Sequence, residues 1–224
     1  MTRCHSENVF PTLGLGWSPP DPIACRIETP RLLIRAYELG DAPEMFEIIR
    51  ASSDHLLPWM PWSTGHTCVE FTTRYVADQI LALGAGEKFT EIGVGIFEKD
   101  TGDFIGGTGV HDVRRETASC ETGYWVRHDR TGQGYATEAC RHIISWALGP
   151  QSGGGLGLRR VRIYCSGANG ASQKLPERLG LRQEVHQRDD SYIEGIGCTD
   201  RLGWGVMADE WDCGTHEIIT PAKA

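Results

Sequence analysis

The sequence predicts a mixed α/β fold, an α+β sheet with helices on its faces. Hydrophobic spacing switches between the two-residue period of strands and the 3.6-residue period of helices, in the order β-α-α-β-β-β-α-β-α-β-β. One strand–helix–strand crossover sits in the middle of that order. The composition, 40% hydrophobic and 23% charged over 224 residues, is that of one ordinary globular domain, with or without a tail.

The elements follow in chain order. Residues 1–26 are rich in Pro, Gly and Ser and lack a period, so they read as an arm that is extended on the domain or partly disordered. The domain is expected over 27–212 and a tail over 213–224. Arg26–Arg35 alternates as a first strand, with Pro30 placing it near an edge. Asp41 suits a helix cap, Pro43 a first turn, and Met45, Phe46 and Ile49 share one face. His55–Trp62 (HLLPWMPW) is an aromatic, Pro-rich loop. Thr67 to Glu70 has the spacing of a capping box for a helix that Gly84 stops. Phe89–Glu98 and Asp103–Val113 read as a hairpin, and Cys120–Arg127 as a further strand. A Gly-rich turn then opens a helix that Gly149-Pro150 ends. Gln151–Gly157 reads as a flexible surface loop. Arg160–Cys165, a helix over 169–179, and strands at Leu181–Arg188 and Arg201–Ala208 complete the chain.

Charge and cysteines narrow the function classes. Lys plus Arg is 22 against 30 Asp plus Glu, a formal net charge of −8. That disfavours non-specific nucleic-acid binding and suits cationic partners such as amines. No apolar run approaches ~18 residues, so no membrane span is expected, and the N-terminus lacks the apolar core of a signal peptide. The eight cysteines are scattered singly, without C-x-x-C spacing, and read as reduced thiols of a cytoplasmic protein. Cys140 and His142 are two apart on a helix and point to different faces, so no metal site is expected.

The most informative stretch is Tyr124–Ala139, YWVRHDRTGQGYATEA. A strand feeds a turn with Gly132 and Gly134, which opens a helix. Glycines let backbone N–H groups approach a ligand, and the helix N-terminus carries partial positive charge, so the turn suits phosphate or pyrophosphate. The same turn also serves as a tight strand-to-helix connection. A Walker loop fails because Gly134-Tyr135-Ala136 stands where Gly-Lys-Ser/Thr is needed. A Rossmann fingerprint fails because Thr137 occupies the place of the third Gly.

Thr131–Ala139 resembles the acyl-CoA pyrophosphate loop of the GNAT N-acetyltransferase superfamily. ETPRLLIR, HLLPWMPW, GGTGV, ETGYWV, ANGASQKLPERLGL and VMADEW, in that order, resemble its Rim-type branch, whose members acetylate N-termini of ribosomal proteins. The resemblance spans about 27 to 211. It implies the GNAT fold, with about seven strands, a splayed central strand pair and about four helices. It implies acetyl-CoA as co-substrate and a primary amine as acceptor, either a peptide N-terminus or a small amine, and it is compatible with a homodimer.

The resemblance also assigns residues. The loop Thr131, Gly132, Gln133, Gly134, Tyr135 and Ala136 would hold the pyrophosphate, and the edge at Trp125, Val126 and Arg127 the pantetheine arm. Asn169 would touch that arm, and Ser172 would lie near the thioester sulfur as a donor to the departing thiolate. Glu121 is the candidate base and His111 the second. The Val126 N–H is the candidate oxyanion donor, and Trp59 and Trp62 line the acceptor pocket. Each has a plainer reading beside it: Asn169 as a helix cap, Glu121 as a solvent-facing carboxylate, His111 as an exposed histidine, Tyr135 as packing, the tryptophans as a core lid. Thr131 stands where the family has Gln or Arg, with Arg130 one residue before it as a substitute. Pro176 falls inside the last crossover helix, near Ser172. The Gly-rich stretch 188–200 is long.

Overall fold

Residues 16–212 are described by a computed structural model. β1 (Arg26–Glu28) and β2 (Leu32–Ala36) form an antiparallel hairpin. The single strand expected here is broken at Thr29-Pro30-Arg31. Proline cannot donate to a ladder, and the Thr29 hydroxyl accepts the Leu32 N–H instead, at 2.7 Å.

The chain then crosses one face of the sheet as α1 (Ala42–Ala51), α2 (Ser53–Leu56) and α3 (Val69–Ala82). Asp41 precedes α1, but its carboxylate does not cap it. It forms a two-pronged pair with the Arg35 guanidinium at 2.8 and 2.9 Å. Cys68, not Thr67, is the N-cap residue of α3. The Pro-rich loop contains α2 and a 3-10 turn at Pro61–Gly65.

β3 (Ile92–Glu98), β4 (Phe104–Arg114) and β5 (Ser119–Val126) make an antiparallel meander. α4 (Tyr135–Leu148) crosses the opposite face to β6 (Arg160–Ser166), and α5 (Gly170–Arg178) leads to β7 (Arg182–Ile193) and β8 (Gly197–Met207). The sheet order is β1-β2-β3-β4-β5-β6-β8-β7. The described residues thus hold eight strands and five α-helices, slightly more than the resemblance implies. The 188–200 stretch is not an open loop. It extends β7 and β8 into a long hairpin with a bulge that puts Asp189 at φ 54°.

One feature of this order positions the site. β5 and β6 are parallel neighbours joined only at Ser119↔Arg160, Cys120↔Val161 and Glu121↔Arg162. Beyond Glu121 the two strands part, and a gap opens in the middle of the sheet.

Apolar side chains of α4, including Ile143, Ile144 and Trp146, are fully buried between that helix and the sheet. A second cluster of Tyr37, Met45, Ile49, Val76, Phe104 and Trp125 lies under α1 and α3. The Trp146 indole donates to the carbonyls of Ala24 and Gly154, both at 3.1 Å. This anchors two segments without regular structure. The segment before β1 buries Ile23 and Cys25. Residues 151–153 are exposed, as a surface loop would be, but 155–157 are packed: Leu156 is fully buried and its carbonyl takes the Trp17 indole N–H at 2.7 Å. The expectations for residues 1–15 and 213–224 lie outside the described residues.

Among the described cysteines, Cys25, Cys120 and Cys140 are buried. Burial alone pushes the Cys25 thiol up to about 12, which fits inert packing groups.

Candidate active site

The gap edge is set by strand parity. The Arg127 N–H donates to the Ile105 carbonyl on the β4 side, at 2.9 Å. Backbone groups alternate along a strand, so the amides of Tyr124 and Val126 face the gap, and those of Trp125 and Arg127 face β4. Of the three residues expected to bind a pantetheine arm, Val126 alone presents its amide there. The Trp125 side chain lies in the second apolar cluster. The Arg127 guanidinium is taken by the Asp129 carboxylate at 2.6 and 3.0 Å.

The loop below the gap ends in Gly134, the N-cap of α4, at φ 84°. Gly132 has φ 74°. Both values lie in the left-handed region that glycine enters without a Cβ penalty. Among the described residues, the N–H groups of 132 to 136 make no backbone hydrogen bond. They cluster at the positive end of a helix of 14 residues. A β-carbon at Gly132 would meet nothing within 4 Å, so a ligand has open access. Unspent donors at a helix N-terminus suit a phosphate or pyrophosphate group.

Arg130 does not replace the missing loop cation. Its guanidinium pairs with Asp103 at 3.1 Å and Glu98 at 3.5 Å. Thr131 turns its hydroxyl back to the His128 carbonyl. Tyr135 is buried, with its hydroxyl on Glu98 at 2.5 Å, so its side chain packs and only its backbone is offered.

Arg31, which sequence reasoning missed, holds the loop from behind. Its guanidinium donates to the Gln133 carbonyl at 3.0 Å and pairs with Glu138 at 2.6 Å. The other Glu138 oxygen takes the Thr29 hydroxyl at 2.5 Å. The β1–β2 turn is thereby latched onto the first turn of α4. Glu138→Gln is expected to lower stability by about 1 kcal/mol, a fall in Tm of about 2–4 °C in thermal denaturation.

On the other side of β5 lies a cavity of about 810 Å³, bordered by Trp59, Trp62, His111, Glu121 and Trp125. Trp62 is 42% exposed, so it is part of an open rim rather than a core lid. Helix α3 supplies Phe71, Arg74, Tyr75 and Asp78, spaced 3, 4 and 7 along one helical face. This wall was not singled out from the sequence, although its spacing is visible there. An aromatic chain lines it: Trp125 to Trp62 at 5.9 Å, Trp62 to His66 at 5.7 Å, His66 to Tyr75 at 5.4 Å. Burial lowers the His66 pKa and pushes Tyr75 up to about 12, so these two rings stay uncharged at neutral pH. The floor is glycine. A β-carbon at Gly107 would lie 2.6 Å from the Trp125 indole nitrogen and 2.8 Å from the Tyr37 hydroxyl.

Glu121 and His111 are direct cross-strand partners, with Nε2 to Oε2 at 3.6 Å. The Glu121 side chain is only 16% exposed, unlike a solvent-facing strand-end carboxylate. The Arg162 guanidinium, opposite it on β6, lies 3.9 Å away. Glu121 therefore sits at the last paired position of β5 and β6, where the gap begins.

Tyr124 and Val126 point to the α4 face, opposite Trp125. There α5 brings in Ser172. Asn169 caps α5, its Oδ1 accepting the Ser172 N–H at 3.0 Å. The Ser172 hydroxyl lies 2.9 Å from the Tyr124 hydroxyl. Carboxylate and hydroxyl pair thus approach the gap from opposite faces of one strand.

The family model described as an acetyltransferase (GNAT) domain matches residues 31–182. YdaF of Bacillus subtilis strain 168, provisionally named a ribosomal N-acetyltransferase, is 25% identical over 84% of this chain and 97% of its own. RimL in complex with coenzyme A superposes with a TM-score of 0.72 at 19% identity, over 83% of this chain and 99% of that one. A ribosomal-protein-S5-alanine acetyltransferase from Vibrio fischeri gives 0.71 at 19% identity, over 84% and 99%. At these identities the two structures show the shared fold. The family match, over more than half the chain, shows more: this protein is a member of the GNAT acetyltransferases, acyltransferases that use acetyl-CoA.

Proposed function

We propose that the protein transfers the acetyl group of acetyl-CoA to a primary amine by direct attack, and that the acceptor is the N-terminus of a peptide or protein. The observation that carries this is the parting of β5 from β6 beside a helix N-terminus with unspent N–H groups. Acetyl-CoA supplies an activated acyl carbon when bound. The loop 131–136 would hold its pyrophosphate and Val126 its pantetheine arm, with Asn169 near by. The Tyr124 N–H, which also faces the gap and is nearer to Glu121 and Ser172 than that of Val126, would stabilise negative charge on the acyl oxygen.

The chain's own groups handle the protons. A peptide α-amino group of pKa ~8 is mostly protonated at pH 7 and must lose a proton before it attacks. Glu121 would take it, with His111 as the relay to solvent. As the nitrogen–carbon bond forms, the carbon–sulfur bond breaks, and Ser172 on the opposite face would donate to the departing thiolate. The open aromatic rim at Trp59 and Trp62 suits a peptide end whose body stays outside. The acidic chain suits a cationic partner.

The test is acetyl transfer to a panel of peptides with Ala, Ser and Met N-termini beside polyamines, aminoglycosides and amino acids, read by product mass. Acetylated peptide N-termini are expected. Product from small amines alone would overturn the peptide reading and turn the cavity into a small-molecule pocket. Absence of product despite acetyl-CoA binding would overturn the catalytic reading.

A further inference from the structure

Pro176 lies inside α5, four residues after Ser172. In a regular helix the N–H of residue 176 donates to the carbonyl of residue 172. Proline has no N–H, so the Ser172 carbonyl loses its helical partner. The structure fills that vacancy from another element. The Tyr124 hydroxyl, on β5, lies 3.2 Å from the Ser172 carbonyl and 2.9 Å from the Ser172 hydroxyl. With the Asn169 cap on its N–H, every polar group of Ser172 has a partner.

We infer that Pro176 and Tyr124 form one device that positions Ser172 at the gap between β5 and β6: the proline opens the carbonyl, and the tyrosine bridges carbonyl and hydroxyl. Ser172 is the third residue of α5, so its hydroxyl has no preceding helical turn to bond back to and takes its direction from what it meets at the gap. Tyr124 holds it out. Burial raises the Tyr124 pKa far above the ordinary phenol value, so the group keeps its proton and stays a donor throughout the working pH range. Tyr124 borders the acceptor cavity as well. The role of Ser172 rests on the transferase reading above; the coupling between Tyr124 and Pro176 does not.

Two measurements test it. The first is a double-mutant cycle in thermal denaturation, which needs no acceptor. Tyr124→Phe is expected to lower Tm by about 2–4 °C in the natural chain. In Pro176→Ala, where the Ser172 carbonyl regains a helical N–H, the same change should lower Tm by less than half as much. Equal losses in both backgrounds would overturn the coupling. The second is kinetic, with acetyl-CoA and a peptide that the panel identifies. Tyr124→Phe and Ser172→Ala should each lower kcat about tenfold with KM for acetyl-CoA unchanged, and the double variant should fall no further. Unchanged kcat in Tyr124→Phe, or losses that multiply in the double variant, would overturn the positioning role. If the natural chain transfers no acetyl group, the transferase reading fails, while the stability cycle still decides the coupling.

Discussion

Glu121→Gln is expected to lower kcat by ~10²–10⁴-fold, the range that general-base catalysis supplies, while the affinity for acetyl-CoA stays within about twofold. The substitution keeps the shape of the side chain, which is largely buried beside Arg162 and His111. It removes the charge and the ability to accept a proton. Coenzyme affinity should hold because the loop residues 131–136 and Val126 are untouched. The measurement is a pH series of kcat on a peptide acceptor, with calorimetric titration of acetyl-CoA as the control. An acid-side fall in rate that survives in Glu121→Gln would move the role to His111. His111 lies 3.6 Å away on the neighbouring strand and its side chain is 46% exposed. A single loss in Glu121→Gln that His111→Gln does not deepen would place both in one proton path.

Much of this arrangement was legible in the sequence, for physical reasons that differ by element. The helix α4 could be read because a strand, two glycines and a 3.6-residue apolar period leave few alternatives. Gly134 indeed adopts φ 84°. Glu121 and His111 were nameable as strand-end residues, but their being opposite one another depends on the β4–β5 register. That register contains a bulge between His111 and Arg114 that no local pattern announces. Arg31 was hidden for a similar reason: it lies 107 residues from its partner Glu138, and only the sheet order brings them together. Arg130 misled because its residue type suits a phosphate, whereas Glu98 and Asp103 on the adjacent hairpin claim its charge. Residues 155–157 misled because glycine suggests freedom. Gly155 in fact packs against the backbone of Gly149, and Leu156 and Leu158 are fully buried. Pro176 was recognised as a helix disturbance, but the group that answers it, Tyr124, comes from a different strand.

Gly134→Val should produce the complementary kinetic signature, a rise in KM for acetyl-CoA of ~10²-fold with kcat at saturation changed only slightly. Each hydrogen bond from a backbone N–H to a charged phosphate oxygen contributes about 1.5–3 kcal/mol, so losing one or two accounts for that factor. Valine cannot hold φ near 84° without strain of about 1–2 kcal/mol, and the chain would relieve it by rotating the N–H groups of 134 to 136 out of their common direction. The new side chain would also crowd the Arg31 guanidinium, whose Nη2 lies 3.4 Å from where the β-carbon would stand. That contact ties the loop to Gln133 and Glu138, so the disturbance reaches the latch as well. Strain alone does not predict a coenzyme effect, and a second glycine separates the two. Gly195, in the β7–β8 turn, has φ 80° and open space around its Cα. Gly195→Val should lose comparable stability in thermal denaturation and leave KM for acetyl-CoA unchanged. If both variants raise KM equally, the effect is general destabilisation and the loop 131–136 does not hold the pyrophosphate. If Gly134→Val alone does so, with kcat preserved, binding and proton transfer occupy separate parts of the gap: the helix N-terminus below it and Glu121 at its apex.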